Sequence, residues 1–235
     1  MVEIRIEGPG KNALGTERMQ EVLDAVRAAD GAPLLLTGAG DAFSAGLDLK
    51  EVYQADLAQM EVFLDRLTTL LVELFHHPAP TVAAINGHAI AGGALVALVC
   101  DHRIITANPR TRVGLNEVAL GLRFPPRILG LVQRRIDPSH WHEVILGAGL
   151  HGPEDAVRLG FADAIAEDPV AAATDWLQKT GSYPRDAYAA AKRALNDGAD
   201  AVQADDDARF RDEILPVWIG APIKRTIAGF LGIEA

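Results

Sequence analysis

The sequence predicts an α/β fold in which short buried strands alternate with helices, and three observations carry that reading. Residues 33–37, 81–85 and 102–106 are short apolar runs that stop at glycine, asparagine or proline, as buried strands do. Segments of helical periodicity stand between and after them. The order strand, loop, helix, strand then recurs, which is the right-handed winding of parallel β and α units.

The elements follow in order. Val2–Ile6 alternates apolar and charged side chains and reads as a strand. Residues 16–29 read as an amphipathic helix with Thr16 as its N-cap and Glu17 beside it. The run 33–37 is a buried strand leading into a loop at Gly38-Ala39-Gly40. Residues 56–75 place Leu57, Met60, Phe63, Leu64, Leu67, Leu70, Leu71 and Leu74 on one helical face, and His76-His77-Pro78 ends it. A strand at 81–85, a helix at 92–100 and a strand at 102–106, closed by Asn108-Pro109, complete the repeat. From Pro125 onward helices dominate, at 128–136, 139–146 and 153–159, with a last strand at 161–165. After Asp168 only helices are expected, at 170–179, 185–196, 199–215 and 223–230. No low-complexity linker interrupts the chain, so the sequence divides into a core of residues 1–168 and a helical C-terminal region of residues 169–235.

With 235 residues, nearly half of them hydrophobic, the chain can bury a substantial core. Its net charge of −10 argues against nucleic acid or an anionic membrane as the main partner. The single cysteine, Cys100, ends an apolar helical run and is expected to be a buried structural thiol, which fits a reducing, cytoplasmic setting. The N-terminus lacks the basic-then-apolar pattern of an export signal. Residues 78–100 carry no Asp, Glu, Lys or Arg, and their length alone would span a membrane. Asn86-Gly87-His88 breaks that run, so a buried strand, a turn and a buried helix are expected instead.

Three segments carry chemistry. The first is a glycine-bearing loop after a buried strand, Gly38 to Leu49, which leaves the Leu47 N–H open. In the second, Ala91-Gly92-Gly93, a helix opens with no side chain over its free N–H groups, where the helix dipole adds positive charge. The third, Val113-Gly114-Leu115-Asn116-Glu117, delivers a carboxylate just after a short apolar strand. Two backbone donors and one carboxylate in an apolar surround can make and quench an enolate.

The runs Phe43-Ser-Ala-Gly-Leu-Asp48, Ala84-Ile-Asn-Gly87 and Ala91-Gly-Gly93…Cys100-Asp101 resemble, in order and spacing, those of the crotonase, or enoyl-CoA hydratase/isomerase, superfamily. The resemblance runs in register from about Lys11 to about Ile165. It implies a crotonase-type spiral of repeated β-β-α units with a C-terminal trimerisation region, and hence a homotrimer or dimer of trimers. It implies an acyl-CoA thioester substrate held between the N–H groups of Leu47 and Gly92. It also places Ser44, Ala45, Gly46 and Asp48 on the loop that meets the CoA moiety, and Asn116 next to the thioester. As an alternative, Asp48 caps the helix beginning near Lys50, and Asn116 is a plain turn residue.

Hydratases of the superfamily carry one glutamate three residues after the second donor and another at the position of Glu117; this sequence has Leu95 at the first place. The remaining pattern, Gly-Leu-Asn-Glu above all, is most similar to the Δ3,Δ2-enoyl-CoA isomerases. The implied reaction moves a proton from C2 to C4 of a 3-enoyl-CoA through Glu117, without a cofactor beyond the CoA of the substrate. The alternatives are a hydratase or other crotonase-type reaction with one glutamate, and a non-catalytic acyl-CoA-binding protein. An apolar wall drawn from Leu95, Leu120, Leu122 and Phe124 is expected to raise the Glu117 pKa. Arg123 replaces part of a glycine-rich segment of many relatives and either reaches the pocket or faces solvent. Lys11 and Lys50 lie beside the matched loops but are expected to be solvated. His140-Trp141-His142 and His76-His77 lack partners at zinc spacing, and Gly38-Ala-Gly40 lacks the rest of a dinucleotide fingerprint, so neither a metal nor NAD is expected.

Overall fold

The computed structural model describes residues 1–233. Eight strands form two parallel sheets. β1 (Val2–Ile6), β2 (Leu34–Gly38), β4 (Thr81–Ile85), β6 (His102–Thr106) and β8 (Ala164–Ala166) lie side by side in that order in a five-stranded sheet; β3 (Ala42–Ser44), β5 (His88–Ile90) and β7 (Val113–Gly114) form a three-stranded sheet. Each consecutive pair, β2–β3, β4–β5 and β6–β7, gives its first strand to the large sheet and its second to the small one, and helices follow. This is the expected spiral of β-β-α units.

β2 and β4 are buried at every position, because both faces of the large sheet are covered. On one side lies the main core, into which the helices Thr16–Ala28, Leu57–Phe75 and Gly92–Val99 project Met19, Phe63, Leu67 and Val96. On the other, Pro169–Thr180 packs Ala173 and Leu177 against Leu35, Val82 and Ile104. The helix Arg185–Asn196 is tied to the sheet by a buried polar cluster. The Asp101 carboxylate accepts from the Thr81 N–H (3.0 Å), the Tyr188 hydroxyl (2.9 Å) and the Lys192 ammonium (2.8 Å).

Several expectations need correction. The N-cap of the first helix is Gly15, not Thr16; the Glu51 carboxylate reaches across to accept from the Thr16 N–H (2.9 Å) and hydroxyl, replacing the cap from another element. β3 and β5 fall in stretches read as loop, since three-residue strands carry no readable period. Residues 139–146 form a 3-10 turn (Pro138–His140) and a π turn (His142–Leu146) rather than one helix. The strand expected at 161–165 shortens to Ala164–Ala166. The helix expected at 199–215 begins only at Asp206 and continues through a π turn to Trp218, because Gly198 turns left-handed (φ 73°) and the Asp206 carboxylate caps the Gln203 N–H (2.7 Å). By contrast, the long helix is Leu57–Phe75, closed at its start by a reciprocal Asp56–Gln59 capping box.

The charge-free run 78–100 folds into β4, a turn, β5 and the helix Gly92–Val99. No single helix among the described residues is long and apolar enough to cross a membrane.

Candidate active site

The residues that the sequence sets apart come together where the turn after β5 meets the loop after β3. That loop is built against residues 11–14. The Ala45 N–H donates to the Lys11 carbonyl (3.0 Å), the Gly46 N–H to Ser44 Oγ (3.2 Å) and the Asp48 N–H to the Leu14 carbonyl (3.1 Å). Leu47 N–H alone in this run donates to no acceptor among the described residues. Gly92 opens its helix, so its N–H likewise has no intrahelical acceptor.

The glycines let these two strands of backbone touch. A Cβ at Gly93 would lie 2.4 Å from the Ser44 carbonyl, one at Gly46 2.7 Å from the Ile90 carbonyl, and one at Gly92 2.7 Å from the Leu47 side chain. Gly46 also sits at φ 99°. Ala91, at φ 48° and ψ −118°, turns the chain into the helix in a conformation strained for a side-chain-bearing residue, and its N–H is held by the Gly114 carbonyl (2.9 Å). The segments that carry the Leu47 and Gly92 amides are thereby held in contact.

Glu117 stands three residues after β7, in a turn whose Leu120 and Leu122 N–H groups both bond to the Glu117 carbonyl (3.1 and 2.9 Å). The residue is 4% exposed, and Oε2 is buried without a hydrogen-bond partner. Burial pushes its pKa up to about 7, against a smaller lowering by its own backbone N–H. A cavity of about 100 Å³ joins it to Ala45, Leu47, Ile90, Ala91, Asn116, Leu120 and Leu122, with Leu49, Val52, Trp218, Ile223, Ile227 and Phe230 completing the lining. Glu117 is the one carboxylate among those lining residues. Such a site can take a proton from carbon beside a carbonyl whose developing charge two amides receive.

The other expected residues fall as follows. Ala45 and Leu47 line the cavity, and Asn116 does too, with its Oδ1 buried and unpartnered. Ser44 is fully buried, and its hydroxyl donates to the Asn12 carbonyl (2.8 Å). Asp48 caps the helix Leu49–Gln54, accepting from the Lys50 and Glu51 N–H groups (2.9 and 3.3 Å). Lys11 pairs with Asp41 on the surface (2.8 Å), and Lys50 is exposed. The Arg123 guanidinium is outside the pocket, donating to the Glu213 carbonyl (3.0 Å). Cys100 is buried, and burial raises its thiol pKa to about 12.

The expected wall was half misplaced. Leu120 and Leu122 line the pocket, but Leu95 points into the main core and Phe124 lines a separate groove with Trp141 and Ile214. Their places are taken by Trp218, which falls between the helices expected at 199–215 and 223–230, and by Ile223 and Ile227, whose apolar pattern is legible only as helix. Asn12 was also passed over. Its side-chain amide donates to the Ala39 and Ala42 carbonyls (both 2.9 Å) and so anchors the loop; a polar residue buried in a segment that matched the family pattern was its signal.

A family model described as enoyl-CoA hydratase/isomerase matches residues 1–215. The chain belongs to this family. Among its relatives, the mitochondrial enoyl-CoA delta isomerase 1 of Homo sapiens is 29% identical over 70% of this chain and 56% of its own length. The mouse isomerase of that name is 33% identical over 57% of this chain and 49% of its own length, so this chain spans about half the length of these two relatives. A probable enoyl-CoA hydratase of Mycobacterium tuberculosis is 31% identical over 79% of this chain and 73% of its own length. The solved human mitochondrial Δ3-Δ2-enoyl-CoA isomerase superposes with a TM-score of 0.85 at 26% identity, covering 98% of this chain and 92% of that one. An enoyl-CoA hydratase from Bacillus halodurans gives 0.81 at 25% identity over 97% and 95%. The fold is therefore the crotonase fold, and Leu95, three residues after Gly92, is a core residue.

Among the described residues no group of three His, Cys, Asp or Glu side chains is placed to hold a metal ion.

Proposed function

We propose that this protein is an enoyl-CoA isomerase that moves the double bond of a 3-enoyl-CoA to the 2-position. The observation that carries the reading is a single buried carboxyl, Glu117, the one acid among the described residues of a pocket that Leu47 and Ala91 also line, with the unpaired Leu47 N–H on its wall and the helix start at Gly92 directly after Ala91. The thioester oxygen sits between the Leu47 and Gly92 N–H groups. Glu117, ionised, removes a C2 proton; the electron pair spreads over the thioester and the former double bond as a dienolate whose oxygen takes both hydrogen bonds. The carboxyl, now protonated, returns that proton to C4, and the double bond is left between C2 and C3. One group thus serves as base and then as acid, and a pKa near 7 suits both tasks. Each amide is worth roughly 3–4 kcal/mol to the transition state. The sequence of steps needs no cofactor beyond the CoA of the substrate.

Hydration is the competing chemistry in this family, and the resemblance implies two carboxylates for water activation there; among the described residues only Glu117 brings a carboxylate to this pocket. The deciding experiment sets wild type beside Glu117→Gln with 3-enoyl-CoA and 2-enoyl-CoA substrates, following 2-enoyl-CoA and 3-hydroxyacyl-CoA separately. Isomer without hydroxyacyl product, falling by about 10²–10⁴-fold in Glu117→Gln, is the expected result. Hydroxyacyl-CoA as the main product would convert the reading to a hydratase. Tight acyl-CoA binding with no turnover that depends on Glu117 would leave a binding protein. The wild-type rate should rise with pH through about 7, as the base ionises, and then level off.

A further inference from the structure

The lining of the Glu117 pocket divides into a closed end and a mouth. Val52, Leu122, Trp218, Ile223 and Ile227 are buried; the residues around the amide cradle are partly exposed, and Phe230 stands at the rim, 65% exposed. Glu117 and Asn116 are the polar side chains of the lining; Val52, Leu122, Trp218, Ile223 and Ile227 are all apolar, so a chain that extends among them must be hydrocarbon.

Its size limits how much hydrocarbon. The cavity holds about 100 Å³, whereas an apolar cavity of about 150 Å³ accommodates a benzene ring. By that scale there is room for about four non-hydrogen atoms, the length of a four-carbon acyl group from C1 onward.

The wall that sets this size is held in place rather than draped across the opening. Trp218 is 2% exposed, and its indole N–H donates to the Arg123 carbonyl (3.0 Å), six positions after Glu117. The Arg123 guanidinium in turn donates to the Glu213 carbonyl (3.0 Å), one helical stretch before Trp218. On the far side, the Lys224 ammonium donates to the Ala55 carbonyl (3.2 Å), which fastens the helix Ala221–Leu231 next to Leu49–Gln54. The turn that carries the acid and the helix that closes the pocket therefore form one clasped unit.

We infer that Trp218, clasped to the Arg123 carbonyl, closes the acyl end of the pocket and restricts the protein to short-chain acyl-CoA thioesters of about four carbons. The inference rests on the proposed isomerase reading only for the choice of reactive substrate. A longer chain has to displace a buried, hydrogen-bonded indole or the helix behind it, and a single excess methylene in a close-fitting apolar pocket changes discrimination by about tenfold or more.

The test measures kcat/KM for 3-enoyl-CoAs of four to ten carbons with wild type, Trp218→Ala and Trp218→Phe. Binding of saturated butanoyl-CoA and octanoyl-CoA is followed calorimetrically on the same samples. Wild type should fall at least about tenfold between four and eight carbons. In Trp218→Ala the eight-to-four-carbon ratio should rise by more than tenfold, and in Trp218→Phe, which keeps the bulk and loses the N–H, by less. A wild-type profile that is flat or climbs with chain length would overturn the inference, as would an unchanged ratio in a folded Trp218→Ala. If Trp218→Ala does not fold, Trp218→Phe and the wild-type profile still decide. The saturated ligands require no chemistry: selective binding of butanoyl-CoA by a protein that turns over no enoyl-CoA would sink the isomerase reading and leave this one standing.

Discussion

The amide cradle and the C-terminal wall serve one pocket but are built on different principles. In the cradle, residues 44–47 lie on residues 90–93, and the fit depends on what is missing: a Cβ at Gly93 would meet backbone at 2.4 Å. In the wall, Trp218, Ile223 and Ile227 contribute bulk, and any apolar side chains of the right volume would exclude water. The chemistry is thus held by groups that tolerate almost no change. Its environment is set by groups that tolerate a good deal. Three substitutions break or sharpen this contrast.

The largest effect of a change in the cradle is expected from Gly93→Ala. The new methyl would meet the Ser44 carbonyl at 2.4 Å and the Ser44 Cβ at 2.8 Å, neither of which is the free end of a flexible side chain. The loop carrying the Leu47 N–H has to move away. Overpacking of this kind costs about 1–3 kcal/mol of stability. Loss of one well-placed donor lowers kcat by about 10²–10³-fold. Steady-state kinetics with a melting curve on the same sample checks both. A folded variant within threefold of wild-type kcat would show that the close approach of the two segments is not what positions the donor.

The wall has a thermodynamic signature of its own, because it buries an acid. Glu117 ionises near 4.5 in the unfolded chain and near 7 in the folded protein. Between those values the folded state keeps a proton that the unfolded state has released, so stability falls as pH rises from about 4.5 to about 7; the full loss remains above 7. A shift of this size corresponds to about 3 kcal/mol. Glu117→Gln, which mimics the neutral acid, should therefore be more stable than wild type by about that amount at pH 8 and equal to it near pH 4. Urea unfolding at the two pH values measures it. The same variant loses the reaction, so stability and activity should move in opposite directions. Equal stability of the two proteins at pH 8 would mean that the wall leaves the carboxyl in water.

This contrast also explains what could be read in the sequence. Cradle and acid are short-range features: Gly46, Gly92 and Gly93 mark the backbone approach, and Glu117 follows an apolar strand by three residues, so the close approach of the two segments and the place of the carboxylate after β7 are legible. Long periodic elements were legible too, Leu57–Phe75 with its Asp56 cap being the clearest. Interactions between distant segments were not. Glu51 caps a helix that begins thirty-five positions earlier, which no local pattern around Thr16 encodes. Leu95 and Phe124 are near the site in sequence but turned elsewhere, while Trp218 reaches it from the C-terminal helices. Asp48 shows the ambiguity of a short polar residue on a binding loop: its carboxylate is spent on the Lys50 and Glu51 N–H groups, and the local fold accounts for it.

The smallest effect repeats the cradle's substitution in the wall. Gly229 lies in the helix Ala221–Leu231, its φ is ordinary, and a Cβ there would meet nothing within 4 Å. Glycine in a helix is worth about 0.5–1 kcal/mol less than alanine, through backbone freedom lost on folding. Gly229→Ala should therefore stabilise the protein by up to about 1 kcal/mol, a rise of roughly 2–4 °C in Tm for a chain of this size. Gly229 is not among the described residues that line the pocket, so kcat should stay the same. One methyl group would then lower both activity and stability at Gly93 while raising stability alone at Gly229. A fall in kcat for Gly229→Ala would instead show that the closing helix has to flex during turnover, and that the wall is as exacting as the cradle.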